Sequence, residues 1–87
     1  MTLRKRFLDA MIDGQLGKGL IVTRQEFMQF FSKENPATTG VFLSNSEINT
    51  GAIHSPTYKH FTMRIDEGAY RIHPQALQER MRKREIL

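Results

Sequence analysis

Near residue 57 the spacing of apolar side chains changes from a helical repeat to a repeat of two, and few folds of this length accommodate such a change. Phe61, Met63 and Ile65 alternate with His60, Thr62 and Arg64; after Asp66-Glu67-Gly68 the alternation resumes as Tyr70 and Ile72 against Ala69, Arg71 and His73. Strict alternation marks a half-buried strand, so residues 58–73 are predicted to form a β-hairpin. Its apolar set, Phe61, Met63, Ile65, Tyr70 and Ile72, is expected to face inward, with Lys59, Arg64 and Arg71 on the solvent side. Gly68 supplies the positive φ that a short bulged loop needs. A purely helical bundle is thereby excluded, and the hairpin must pack back over whatever precedes it.

What precedes it is helical. Leu3, Phe7 and Met11 recur at i, i+4, with Leu8 and Ile12 widening the stripe, and Thr2 stands where it can cap the segment. Gly14, Gly17 and Gly19 then end the helix in a loop of about six residues. Thr23-Arg24-Gln25-Glu26 has the form of a capping box, with Val22 placed to staple Phe27. A second helix is expected over about 24–33, carrying Phe27, Phe30 and Phe31 into the core. Asn35-Pro36 breaks the chain, and Thr38 or Thr39 is expected to cap a third helix from about Gly40 to Asn49. Pro74 suits the first turn of a last helix with Leu77 and Met81 inward and Arg80, Arg82, Lys83 and Arg84 outward. With 87 residues, 39% of them apolar, the chain has enough for one core and one α+β domain.

Charge is unevenly spread. The formal net charge is +4, made of +2 over residues 1–22, −1 over 23–57 and +3 over 58–87. A basic balance of this kind suggests a polyanionic partner. The third helix departs from the usual solvated face: Ser44, Asn45, Ser46 and Asn49 are neutral hydrogen-bonding groups rather than Lys and Glu, and Ser and Asn are poor helix formers.

The order of a helix, a capped helix, a polar-faced helix, a hairpin and a basic terminal helix resembles a winged helix-turn-helix domain over roughly residues 3–73. The residues that carry the likeness are the Thr23 box, the Asn35-Pro36 turn and the strand Gly68-Ala69-Tyr70-Arg71-Ile72. The tract from Val41 to Ile48 and on through Ser55 to Thr62 is also similar to that of small bacterial proteins, some carried on mobile gene cassettes, a likeness that names no activity. The winged-helix resemblance implies a DNA-binding protein, a small transcriptional regulator or accessory factor, whose third helix meets the major groove. Thr39, Ser44, Asn45, Ser46 and Asn49 would then read base edges. That helix has no Arg or Lys and carries Glu47, so the phosphates would have to be held by Lys59, Arg64 and Arg71 of the wing, with Arg4, Lys5, Arg6 or the Arg80–Arg84 cluster. Arg64 and Arg71 are expected as cross-strand neighbours, whose repulsion needs an anion or Asp66 or Glu67 to offset it.

Other classes find little support. The chain has no cysteine, which excludes a disulfide framework, a thiolate zinc site and a thiol nucleophile. His54, His60 and His73 lack metal-ligand spacing, no orienting acid accompanies His54-Ser55, and the glycines match no phosphate-cradling loop. No enzyme activity and no cofactor or small-molecule ligand is therefore expected. No run is long enough to span a membrane, and Asp9 interrupts any signal-peptide core, so a cytoplasmic protein is expected. The alternative is a protein-interaction module without nucleic-acid binding, a homodimeric adaptor burying Met1, Met11, Met81, Ile86 and Leu87. A homodimer serves both readings, since it would also set two third helices against DNA half-sites.

Overall fold

The computed structural model describes residues 1–48 and 56–85. The first helix, α1, spans Leu3–Ile12 and is capped by Thr2, whose hydroxyl accepts the Lys5 amide at 3.2 Å. Phe7, Leu8 and Ala10 are its buried side. Residues 14–20 make the glycine loop, but its end is more ordered than its composition implies. Lys18 and Ile21 exchange both backbone hydrogen bonds, at 2.9 and 3.1 Å, across Gly19 and Leu20, both at positive φ. That tight turn launches a short strand, β1, Ile21–Thr23, which the periodicity of the sequence does not reveal because three residues are too few to alternate.

Thr23 then opens α2, Arg24–Phe30, through the expected capping box: the Glu26 amide donates to the Thr23 hydroxyl at 3.0 Å and the Thr23 amide donates to the Glu26 carboxylate at 3.1 Å. Val22 and Phe27 are both fully buried. This helix stops earlier than its apolar spacing predicts. Phe31 leaves the helical path as the C-cap, and the three phenylalanines therefore do not share one face: Phe27 and Phe31 are in the core while Phe30 is 43% exposed.

The third helix, α3, spans Pro36–Asn45, earlier than the expected Gly40–Asn49. Asn35 caps it by accepting the Ala37 amide at 2.9 Å, and Pro36 occupies the first turn, where its missing N–H and fixed φ cost nothing. The Asn-Pro pair that reads as a break is thus the start. Ser46 closes α3, and its carbonyl accepts both the Phe61 and Thr62 amides at 2.8 and 2.9 Å, tying the helix end to the next strand. Asn49 and His54 lie outside the described residues.

The hairpin is present as β2, Thr62–Asp66, and β3, Ala69–Ile72. With β1 they form a three-stranded antiparallel sheet in the order β1-β3-β2. Its faces are not those expected. Arg64 pairs with Tyr70 and Thr62 with Ile72, so Thr62, Tyr70, Ile72 and Val22 share the core face, while Met63, Arg71 and Ile21 lie opposite. A one-residue offset decides this. Phe61 enters the core from just before the strand, so both Phe61 and Thr62 are buried, and a bulge at Ile65 leaves that side chain 51% exposed. The buried Thr62 hydroxyl is satisfied by the Leu43 carbonyl at 2.8 Å.

The last helix, α4, spans Pro74–Glu85 and packs along α1 with Ala76 and Leu77 buried. Met81, expected inward, is 38% exposed. The core cluster draws on every element but β2: Phe7 and Leu8 of α1, Val22 of β1, Phe27 of α2 and Phe31 after it, Leu43 of α3, Phe61 just before β2, Tyr70 and Ile72 of β3, and Leu77 of α4. Phe27 stacks on Phe42 at 5.0 Å between centroids, and Phe7 meets Phe27 edge-on at 5.1 Å. Among the described residues no helix is long and apolar enough to cross a membrane.

Candidate functional site

The surface that answers best to a binding role is the outer side of α3. Ala37, Thr38, Val41, Ser44 and Asn45 are exposed there, at the spacing of one helical face. Thr39 and Ser46, expected to read bases, point the other way. Thr39 is 2% exposed and Ser46 7% exposed, the Ser46 hydroxyl donating to the Phe42 carbonyl at 2.8 Å. Their hydroxyls serve the helix, as Ser and Thr commonly do near helix ends. Ser44 is exposed but donates to the Val41 carbonyl at 3.1 Å, while the Asn45 amide makes no hydrogen bond among the described residues.

Cations flank this face on both sides, and one of them, Arg24, comes from a helix that the sequence does not connect with it. Arg24, the first residue of α2, extends across α3 and donates from Nε to the Gly40 carbonyl at 2.8 Å. It can lie so close because position 40 has no side chain: a β-carbon there would sit 3.0 Å from an Arg24 Nη. On the other flank Lys59 helps wall a groove of about 490 Å³ with Thr38, Val41, Asn45 and Tyr58. Lys59 is exposed and forms no ion pair among the described residues.

Tyr58 ties this groove to the chain termini. Its ring also walls a smaller cavity that includes Arg4, Lys5 and Lys83. The Arg4 guanidinium stacks on the Tyr58 ring at 4.1 Å and donates from Nε to the Tyr58 carbonyl at 2.7 Å. Burial lowers the Arg4 pKa from its ordinary value. The turn that presents Tyr58 is closed by Thr57, whose hydroxyl accepts the His60 amide at 3.0 Å, so His60 belongs to the turn.

The remaining cations divide into free and occupied. Arg80 donates to both carboxylate oxygens of Asp9 at 2.8 and 2.9 Å, Arg84 donates to Asp13 at 3.0 Å, and Arg6 pairs with Glu34. The Arg80 guanidinium holds the Asp9 carboxyl below the usual carboxylate range, against the opposing effect of burial. Arg80 and Arg84 are thus a clasp between helices rather than a solvated cluster. Arg64 and Arg71 are exposed but lie on opposite faces of the sheet, so the expected like-charge neighbour pair does not exist. Arg64 donates weakly to the Asp66 carbonyl at 3.4 Å, and Arg71 is paired across the strands with Met63 and Ile21.

α3 is therefore flanked by Arg24 and by Lys59 and Tyr58, which lie in the turn before β2 and not on the hairpin where Lys59 is expected; the two hairpin arginines do not converge on one surface. Comparisons of the chain with protein-family models, with curated proteins and with solved structures found no match in any of the three.

Proposed function

We propose that this domain binds duplex DNA as a winged helix-turn-helix protein, with α3 in the major groove and the β2–β3 hairpin as its wing. The arrangement of three helices before a hairpin, with α2 and α3 joined through Asn35-Pro36, supports that plan. The observation that carries the reading is the outer face of α3, which offers neutral hydrogen-bonding groups and little charge, bracketed by Arg24 and Lys59. Base edges are read by groups such as the Asn45 amide, while affinity comes from cations that reach the phosphates on either side of the groove.

Fluorescence anisotropy with a mixed-sequence duplex tests it. Binding is expected at low salt and falls steeply as salt rises, because each neutralised phosphate contributes about 0.9 to the logarithmic slope. Arg24→Gln together with Lys59→Ala should reduce that slope by about 1.8. A parent protein whose weak binding ignores salt would end the reading. At a selected site Asn45→Ala should lower discrimination by about 1–3 kcal/mol and leave non-specific binding in place.

A second reading is a homodimeric docking module. It is favoured by the outer face of the sheet, where Ile21 is 37% and Ile65 51% exposed beside Met63. Sedimentation that gives a monomer at high protein concentration would remove it.

A further inference from the structure

The cavity behind Tyr58 lies between the first turn of α1 and the outer side of α4, has a volume of about 240 Å³, and is walled by Arg4, Lys5, Tyr58, Glu79, Arg80 and Lys83. Arg80 is spent on Asp9, and Glu79 is the one acidic residue in the lining. Arg4, Lys5 and Lys83 therefore leave an excess of positive charge there, and neither lysine has an ion-pair partner among the described residues.

Two further observations set these cations apart from the paired ones elsewhere on the surface. Arg4, Lys5 and Arg6 stand in the first turn of α1, which contains no acidic residue, although the N-terminal end of a helix dipole disfavours cations. Arg6 is paired with Glu34, whereas Arg4 and Lys5 form no salt bridge among the described residues, and Glu79 across the cavity is the one carboxylate whose charge acts on Arg4. Arg4 is also held rigidly: stacked 4.1 Å from Tyr58 and 5.2 Å from Phe61, with Nε on the Tyr58 carbonyl, it keeps both Nη groups without a hydrogen bond among the described residues. An immobilised guanidinium with a free fork beside two lysines matches a tetrahedral oxyanion.

We infer that the cavity formed by Arg4, Lys5 and Lys83 behind Tyr58 is a phosphate-binding site. Because Tyr58 also walls the α3 groove, a strand lying along α3 can place a backbone phosphate there; that source of the phosphate rests on the proposed DNA binding, whereas binding of free phosphate does not. The site involves neither hairpin arginine, so it is separate from the wing.

The test is an NMR titration of the full chain with inorganic phosphate at constant ionic strength, with chloride as control, and then with a 12-base-pair duplex. Saturable shifts of the Arg4 Nε–Hε resonance and of the Lys5 and Lys83 signals are expected with phosphate and with duplex, and not with chloride. Lys5→Gln with Lys83→Gln should abolish the phosphate shifts at unchanged thermal midpoint and reduce the duplex salt slope by about 0.9. Arg4→Lys, which keeps charge but loses the fork, should weaken phosphate binding several-fold. Saturation by phosphate without duplex binding would keep the site and identify free phosphate as its ligand, while removing the DNA reading. Duplex binding that leaves Arg4, Lys5 and Lys83 unmoved, with the full slope in the double variant, would overturn the site and leave the DNA reading intact. Equal shifts with chloride and phosphate would overturn it as well.

Discussion

Gly17 holds a φ of 79°, and a β-carbon there would lie 3.1 Å from Met11 Cε and 3.2 Å from the Ile21 carbonyl. The methionine can move, but the carbonyl belongs to the tight turn that starts β1. Gly17→Ala is expected to cost about 1–3 kcal/mol, read as a lower urea midpoint with an unchanged m-value. Gly40→Ala should behave differently, since only the end of the Arg24 side chain stands in the way and alanine favours a helix by about 1 kcal/mol. Its stability should hold or rise while Arg24 is displaced, which a shallower duplex salt slope would report. Among the phenylalanines, Phe27→Ala should cost about 3–5 kcal/mol and Phe30→Ala under about 1 kcal/mol by the same unfolding measurement, because only the first is fully buried. Residue spacing alone treats the two as equivalent. What separates them is what each ring meets: Phe27 packs against Phe7, Phe31 and Phe42, whereas Phe30 meets Phe31 alone among the described aromatic rings.

At the level of elements, the α1–α4 contact is a clasp of two carboxylates and two guanidiniums. Asp9 and Asp13 stand one helical turn apart, as do Arg80 and Arg84, and both spacings are visible in the chain. Their meeting across 71 positions is not visible, because local periodicity says nothing about which helices lie side by side. The Asp9 and Arg80 side chains are only 22% and 13% exposed, so their pairing stabilises more than a surface ion pair does. Asp9→Asn is expected to cost about 1–2 kcal/mol at neutral pH. The acid limb should change with it. Since Asp9 titrates lower in the folded chain than in the unfolded one, the unfolded state binds more protons as pH falls. The contribution of the pair is complete above about pH 4 and is lost as the pH drops through the folded pKa below that. Chemical unfolding between about pH 5 and pH 2 should therefore show a shallower fall for Asp9→Asn than for the parent. The capping box shows the opposite case, since all its partners lie within four residues, and it is found as the sequence predicts.

The whole molecule measures 34 × 33 × 21 Å, so one copy spans about one turn of B-form DNA, roughly 34 Å. If α3 is the groove-reading element, a 12-base-pair duplex should saturate with one copy, and sedimentation equilibrium would show this; a requirement for about 20 base pairs and two copies would mean that binding is dimeric. From its residues alone the chain determined that it has one α+β core, a helical first half, a capped second helix, a hairpin after residue 57 and a surplus of positive charge. Caps, alternation and charge are set by groups within a few positions of one another, and they survive whatever the chain packs against. Packing decided the rest: that Thr62 and not Met63 faces the core, that Arg80 and Arg84 are bound to Asp9 and Asp13, and that Arg24 and Tyr58 border α3. Each of these depends on strand register or on segments far apart in the chain, where a shift of one residue exchanges buried and exposed faces. Local spacing carries no record of that choice.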